Sequence, residues 1–189
     1  MAKNKLMWAA ILVVVVILIF LLFNLGGGYS DLTANQSGLS KQEKKEIEKF
    51  MPLAIKEAEK SAKKGGIPVG AVLIRDGKVL GKGFDMRLQK KDPLKHAEIS
   101  AIENAGKLKN YEDVVLYTTL TPCFMCSGAI IQLGIKKVVV CESGNFTLPK
   151  GLFDSNGITL INLDAARCKN LINNYLEKHS DTKIKDFGG

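Results

Sequence analysis

The chain has 189 residues, 46% of them hydrophobic, with 27 basic side chains against 19 acidic ones and a formal net charge of +8. This composition excludes a chain without a core: outside an apolar N-terminal run, about 150 residues remain, enough for one globular domain. The positive charge is interleaved with acids and reads as a solvated surface, with attraction to anionic lipid headgroups or to nucleic acid as the alternatives.

Leu6 to Phe23 is an uninterrupted apolar run, LMWAAILVVVVILIFLLF. As a helix it would reach about 27 Å, close to the hydrocarbon core of a bilayer. Residues 1–25 are therefore expected to form an N-terminal transmembrane helix, with membrane localisation, and a cleaved signal peptide is the rival reading. Lys3 and Lys5 favour an exported C-terminal domain, whereas Lys41, Lys44 and Lys45 weaken that bias. The stretch 26–40 is rich in Gly, Ser and Asn and is expected to be a flexible linker. Residues 41–189 form the expected folded domain.

Ser40 to Lys64 has a helical pattern, with Ser40 and Glu43 spaced as a capping box. Pro52 either kinks this helix or begins it. Ile67–Ile74 and Val79–Phe84 flank Asp76-Gly77, the signature of a hairpin. A polar loop follows from Asp85 to Pro93, then a helix from about Lys95 to Ala105. Further strands are expected at Val114–Thr119, Lys136–Cys141 and Ile158–Ile161. Further helices are expected at Cys123–Leu133 and at Ala165–Lys178, the last capped by Asp164. This order gives an α/β fold with a mixed sheet and helices on both faces.

Two short clusters carry the chemistry: His96 with Glu98, and Cys123 with Cys126, separated by 24 residues. A lone CxxC could be a redox pair, and a lone His is usually structural. Together, with Pro122 before the first Cys, they match the H-x-E…P-C-x-x-C pattern of zinc deaminases. A helix start favours thiolates, the metal-binding form. Three protein ligands leave one position open on a tetrahedral ion, which is catalytic rather than structural geometry, and a water there is acidified towards a pKa of about 7. Glu98 is placed to take and return that water's proton. Zinc is the expected metal, although iron can occupy related sites. Cys141 and Cys168 read as core fillers, and His179 as a surface residue.

The segments GGIPVGAVLI, VLGKGFDMRLQK, HAEISAIENAGKL and LYTTLTPCFMCSGAII, with Asn145-Phe146, resemble the fungal-type cytosine deaminases of the cytidine deaminase-like superfamily. The similarity runs from about Lys44 to Asp186. It implies a three-layer α/β/α fold around a five-stranded sheet, often as a homodimer, and hydrolytic loss of ammonia from a free pyrimidine base. It also implies His96, Cys123 and Cys126 as zinc ligands and Glu98 as the proton shuttle. Among substrate contacts it implies the Thr121 carbonyl facing the departing amine, Phe146 covering the base, and Asp186 accepting from the amine. The C-terminal IKDFGG would be a lid.

Two departures from that pattern bear on the substrate. Where the family has an Asn that reads the base, this chain has Asp85. An ionised Asp only accepts hydrogen bonds, so a 2-amino-substituted base is expected to suit it better than cytosine, unless Asp85 is protonated or turned towards a lysine. Lys183 replaces an aromatic of the lid, which opens the pocket to larger bases. The rival readings are a guanine-type deaminase, a tRNA adenosine deaminase that flips its base from a nucleic acid, and a membrane-tethered scaffold without catalysis.

Overall fold

The computed structural model describes Leu32, residues 36–143 and residues 150–179. Helix α1 spans Lys41–Lys63. The Ser40 hydroxyl accepts from the Glu43 N–H at 3.2 Å, and the Glu43 carboxylate accepts from the Ser40 N–H at 3.0 Å. This reciprocal cap satisfies two orphan donors of the first turn. The helix starts at Lys41 and continues through Pro52.

The chain then forms β1 (Gly70–Arg75), β2 (Lys78–Phe84), α2 (Arg87–Lys90), α3 (Ala97–Ala105), β3 (Val115–Thr118) and α4 (Phe124–Leu133). It continues through β4 (Lys137–Val140), α5 (Lys150–Ser155), β5 (Thr159–Asn162) and α6 (Ala166–Lys178). The strands make one mixed sheet in the order β2-β1-β3-β4-β5. β1 is antiparallel to β2 and β3, while β3, β4 and β5 are mutually parallel. The parallel pairs need crossovers, and α4 and α5 lie on those two connections.

Strand alternation divides the interior into two cores. Val72, Ile74, Tyr117 and Val139 face α1, where Ile47, Phe50, Met51, Ala54 and Ile55 cover them. Ala71, Leu73, Leu116, Val138 and Val140 face the other way, onto Ala97 and Ala101 of α3 and Ile130 of α4. The result is the expected three-layer α/β/α arrangement. Close backbone approach fixes both layers. A Cβ on Gly70 would sit 2.2 Å from the Ala54 carbonyl oxygen on α1. A Cβ on Gly83 would sit 2.3 Å from the Ala97 carbonyl oxygen on α3.

Several expectations need correction. No helix among the described residues is long and apolar enough to cross a membrane, and this overturns the expected transmembrane helix and membrane localisation. The run Leu6–Phe23, on which both rested, lies outside the described residues. Within the expected linker, Leu32 is buried in the core under α1 and the Gln36 side chain donates to the Asn162 carbonyl at 2.8 Å. The loop expected from Asp85 to Pro93 contains the short helix α2, and α5 was not foreseen. Asp164 does not cap α6. Ala165 is the N-cap, and Asp164 takes a left-handed φ of 51° while its carboxylate pairs with Lys169 at 2.8 Å. Cys141 and Cys168 are buried as expected but are not free thiols: they form a disulfide. Cys141 directly follows β4, and its carbonyl accepts from the Ala165 N–H at the start of α6 at 2.9 Å, which brings two residues 27 apart in sequence within a Cα distance of 6.0 Å. His179 is exposed, with its ring stacked on Tyr175.

Candidate active site

The helix starts of α3 and α4 meet above the sheet. His96 is the N-cap of α3 and Cys123 is the N-cap of α4, and neither side chain caps its own helix. Cys126 follows one turn into α4, which puts its sulfur on the same side as that of Cys123. The ligand atoms of His96, Cys123 and Cys126 all lie within 4.8 Å of one another. The His96 Nδ1 to Cys123 Sγ distance is 3.7 Å. Two such ligands on a tetrahedral zinc would be about 3.6 Å apart, given the usual zinc–sulfur and zinc–nitrogen bond lengths. One imidazole and two sulfurs are also a donor set that suits zinc. These three residues therefore fit the ion in both spacing and chemistry.

The electrostatics point the same way. The hydrogen bond from Cys126, helped by His96, pulls the Cys123 thiol down to about 4, so it is a thiolate at neutral pH. Cys126 is pushed the opposite way by that same hydrogen bond, by burial and by Glu98. Two sulfurs and a carboxylate thus compete for protons in a small space, and a bound cation relieves the competition. Burial lowers the His96 pKa, but the Cys123 hydrogen bond and the negative charges of Glu98 and Cys123 outweigh it, and the net direction is up.

Glu98 is buried in the first turn of α3. Its Oε2 accepts from the Cys126 thiol at 3.6 Å, and its Oε1 accepts from the Thr118 hydroxyl at 2.9 Å. Burial raises its pKa, so it holds a proton more readily than an exposed carboxylate. Thr118 was missed in the sequence. The available signal was a polar residue two positions after Leu116, and hence on the face that packs on α3.

Asp85, directly after β2, is fully buried. Its Oδ1 accepts from the Arg87 backbone N–H at 3.1 Å. Its Oδ2 accepts from Arg87 Nε and forms an ion pair with Nη2, both at 2.8 Å. Its partner is thus an arginine rather than the lysine considered from the sequence. Thr121 is buried beside the cysteines, and its N–H donates to the Glu142 carbonyl at 3.1 Å. Phe146, Asp186, Lys183 and the expected lid lie outside the described residues. A separate cleft of about 210 Å3 between Gly65–Pro68 and α6 includes none of the site residues.

Comparisons with known proteins agree with this geometry. Residues 44–142 match the family model described as the cytidine and deoxycytidylate deaminase zinc-binding region. A cytosine deaminase from Candida albicans is 41% identical over 143 residues, 74% of this chain and 95% of that protein. A tRNA-specific adenosine deaminase from Buchnera aphidicola is 36% identical over 152 residues, 73% of this chain and 93% of that protein. A solved tRNA:A34 deaminase structure superposes with a TM-score of 0.59 at 24% identity, covering 65% of this chain and 98% of that one, a likeness in fold. The chain belongs to the zinc-binding cytidine and deoxycytidylate deaminase family and is a zinc-dependent hydrolytic deaminase.

Proposed function

We propose that the chain deaminates a free nucleobase of the cytosine type. The observation that carries this reading is the meeting of His96, Cys123 and Cys126 with a buried Glu98 whose Oε2 lies 3.6 Å from the Cys126 sulfur. The cytosine deaminase relative, matched over 95% of its length, supports the choice of base.

His96, Cys123 and Cys126 would hold zinc, which supplies the Lewis acidity that makes water a nucleophile at neutral pH. Glu98 acts as the proton carrier. It accepts a proton from the attacking water and delivers it to the ring nitrogen next to the reacting carbon. It then moves the second proton to the amine, and ammonia leaves as the carbon gains its oxygen. A carboxyl with a raised pKa suits both directions of this traffic. The Thr118 hydroxyl fixes one oxygen of Glu98, leaving the other directed at the metal-binding cluster. By the family resemblance, the Thr121 carbonyl would meet the departing amine, Asp85 would meet the far edge of the base, and Phe146 and Asp186 would be further contacts to it.

The test is ammonia release from a panel of free bases, nucleosides and tRNA by the zinc-loaded protein. Cytosine turnover is expected. A second reading, base deamination within tRNA, is favoured by the tRNA-specific relative that matches at 36% identity. Inosine formation in tRNA without turnover of any free base would establish it instead. Light scattering of the same sample reads the homodimer that the family resemblance implies.

A further inference from the structure

Between β2 and α3 the chain leaves the sheet edge at Asp85 and returns at the metal ligand His96. The two ends of this excursion are joined by a hydrogen bond from the Met86 N–H to the Lys95 carbonyl at 2.9 Å. The Lys95 carbonyl belongs to the peptide group that leads into His96, so its position sets where the His96 backbone sits. At the other end of the Met86 peptide group is the Asp85 carbonyl, which accepts from the Ser61 hydroxyl at 2.7 Å. Ser61 lies in the last turn of α1 and is fully buried. A helical serine commonly bonds the carbonyl one turn back. Ser61 instead bonds one 24 residues away. A hydroxyl on α1 is thus linked through successive peptide groups to the backbone of His96, and hydrogen bonds in such a chain polarise and strengthen one another. The Asp85 N–H donates to the Val69 carbonyl at 2.9 Å, which fixes the start of the excursion on the chain leading into β1. A further contact seats the excursion at the same end of α1. A Cβ on Gly66 would lie 2.0 Å from Nε2 of Gln89 on α2 and 2.7 Å from Ser61 Oγ. The bare Gly66 therefore lets α2 and the Ser61 hydroxyl approach together.

We propose that Ser61 is a positioning residue for the metal centre: its hydroxyl, through the Asp85–Met86 peptide group, holds the Lys95 carbonyl and with it the backbone of the zinc ligand His96. Ser61 acts through these groups and is not itself catalytic. The inference concerns how the centre is held and stands apart from the choice of base.

Zinc affinity is read by competition against a chromophoric chelator, and kcat by ammonia release from the best base. Ser61→Ala takes the side-chain donor from the Asp85 carbonyl and is expected to weaken zinc binding ~10-fold and to lower kcat ~10-fold. Ser61→Thr keeps the hydroxyl and is expected to stay within ~2-fold of wild type in both. Ala62→Gly loosens the same turn of α1 at an exposed position without touching the bond. Its melting temperature should fall while zinc affinity and kcat stay within ~2-fold of wild type. A serine that only stabilised the fold would behave as Ala62→Gly does. If Ser61→Ala does not fold, Ser61→Cys replaces it: the size is kept and the donor is weak, and a ~3–5-fold loss of zinc affinity is expected. The assignment is overturned if the folded Ser61→Ala or Ser61→Cys protein keeps wild-type zinc affinity and kcat, if Ser61→Thr loses as much as Ser61→Ala, or if Ala62→Gly does. Should zinc-loaded wild type release no ammonia from any base, the functional reading fails, while the zinc affinities still decide the role of Ser61.

Discussion

Gly83 is the position where fold and chemistry meet most tightly, and Gly83→Ala tests that link. A methyl there would lie 2.3 Å from the Ala101 nitrogen, 2.3 Å from the Ala97 carbonyl oxygen and 2.7 Å from the Ser100 carbonyl carbon. All three are α3 backbone atoms, so no side chain can turn aside. Ordinary contact needs about 3.5 Å, and α3 must therefore retreat from the sheet by roughly 1 Å. His96 and Glu98 are immediate neighbours of Ala97 and move with it. Cys123 and Cys126 sit on α4 and do not. Displacements of this size cost on the order of 100-fold in catalysis, and overpacking costs about 1–3 kcal/mol of stability. The assay is kcat with the best base, together with zinc affinity by competition against a chromophoric chelator. Gly83→Ala should weaken zinc binding ~10–100-fold and lower kcat by on the order of 100-fold. Gly128→Ala is the control: a methyl on this exposed helical glycine meets nothing within 4 Å. It should leave activity unchanged and stabilise the fold by about 0.5–1 kcal/mol. A folded Gly83→Ala protein with wild-type zinc affinity and kcat would refute the claim that the seating of α3 on β2 sets the site's geometry.

Thr118→Val keeps the shape but removes the donor to Glu98. Loss of a hydrogen bond to a charged group, about 1.5–3 kcal/mol, should lower kcat ~10–100-fold with zinc content unchanged; an unchanged kcat would remove Thr118 from the mechanism. Replacing Cys141 and Cys168 together by Ala should lower stability by about 3 kcal/mol, as expected for a loop of this length. Reductant should then shift the denaturation midpoint of wild type but not of the variant, and an insensitive wild type would count against the disulfide. Glu43 is held down to about 2, first by its hydrogen bond to Lys137 and then by the Ser40 cap. A depressed carboxylate pKa contributes stability above its ordinary value of 4.5, and that contribution fades as the pH falls towards 2. Glu43→Gln should therefore cost about 1 kcal/mol at neutral pH, water screening included, with the difference closing in acid. A gap that persists at pH ~2 would refute the linkage.

The metal-binding trio His96, Cys123 and Cys126, with Glu98 beside it, was legible because its meaning lies in spacing. A His-x-Glu at one helix start and a Cys-x-x-Cys at another need only a shared sheet to converge. The hairpin and the capping box at Ser40 were legible for the same reason, since both are local. What escaped depends on long-range packing. Nothing near Cys141 announces that α6 will deliver Cys168 to it, and two apolar-patterned cysteines read as core until the topology joins them. Thr118 looks like an ordinary strand residue until α3 places Glu98 above it. Arg87 read as one of many basic residues in a polar loop, although its position two residues after Asp85 matches a turn in which an Asp side chain accepts from the backbone. The expected membrane span rested on hydropathy alone, on a run that lies outside the described residues, and no helix among the described residues is long and apolar enough to cross a membrane.

The central claim is that His96, Cys123 and Cys126 hold one zinc while Glu98 moves protons without binding it. The most direct measurement is the zinc-to-protein ratio of Glu98→Gln beside its rate of ammonia release. One zinc per chain with turnover reduced by at least ~100-fold is the predicted result. A protein that carries no stoichiometric metal, or a Glu98→Gln variant that still releases ammonia at the wild-type rate, would contradict the account.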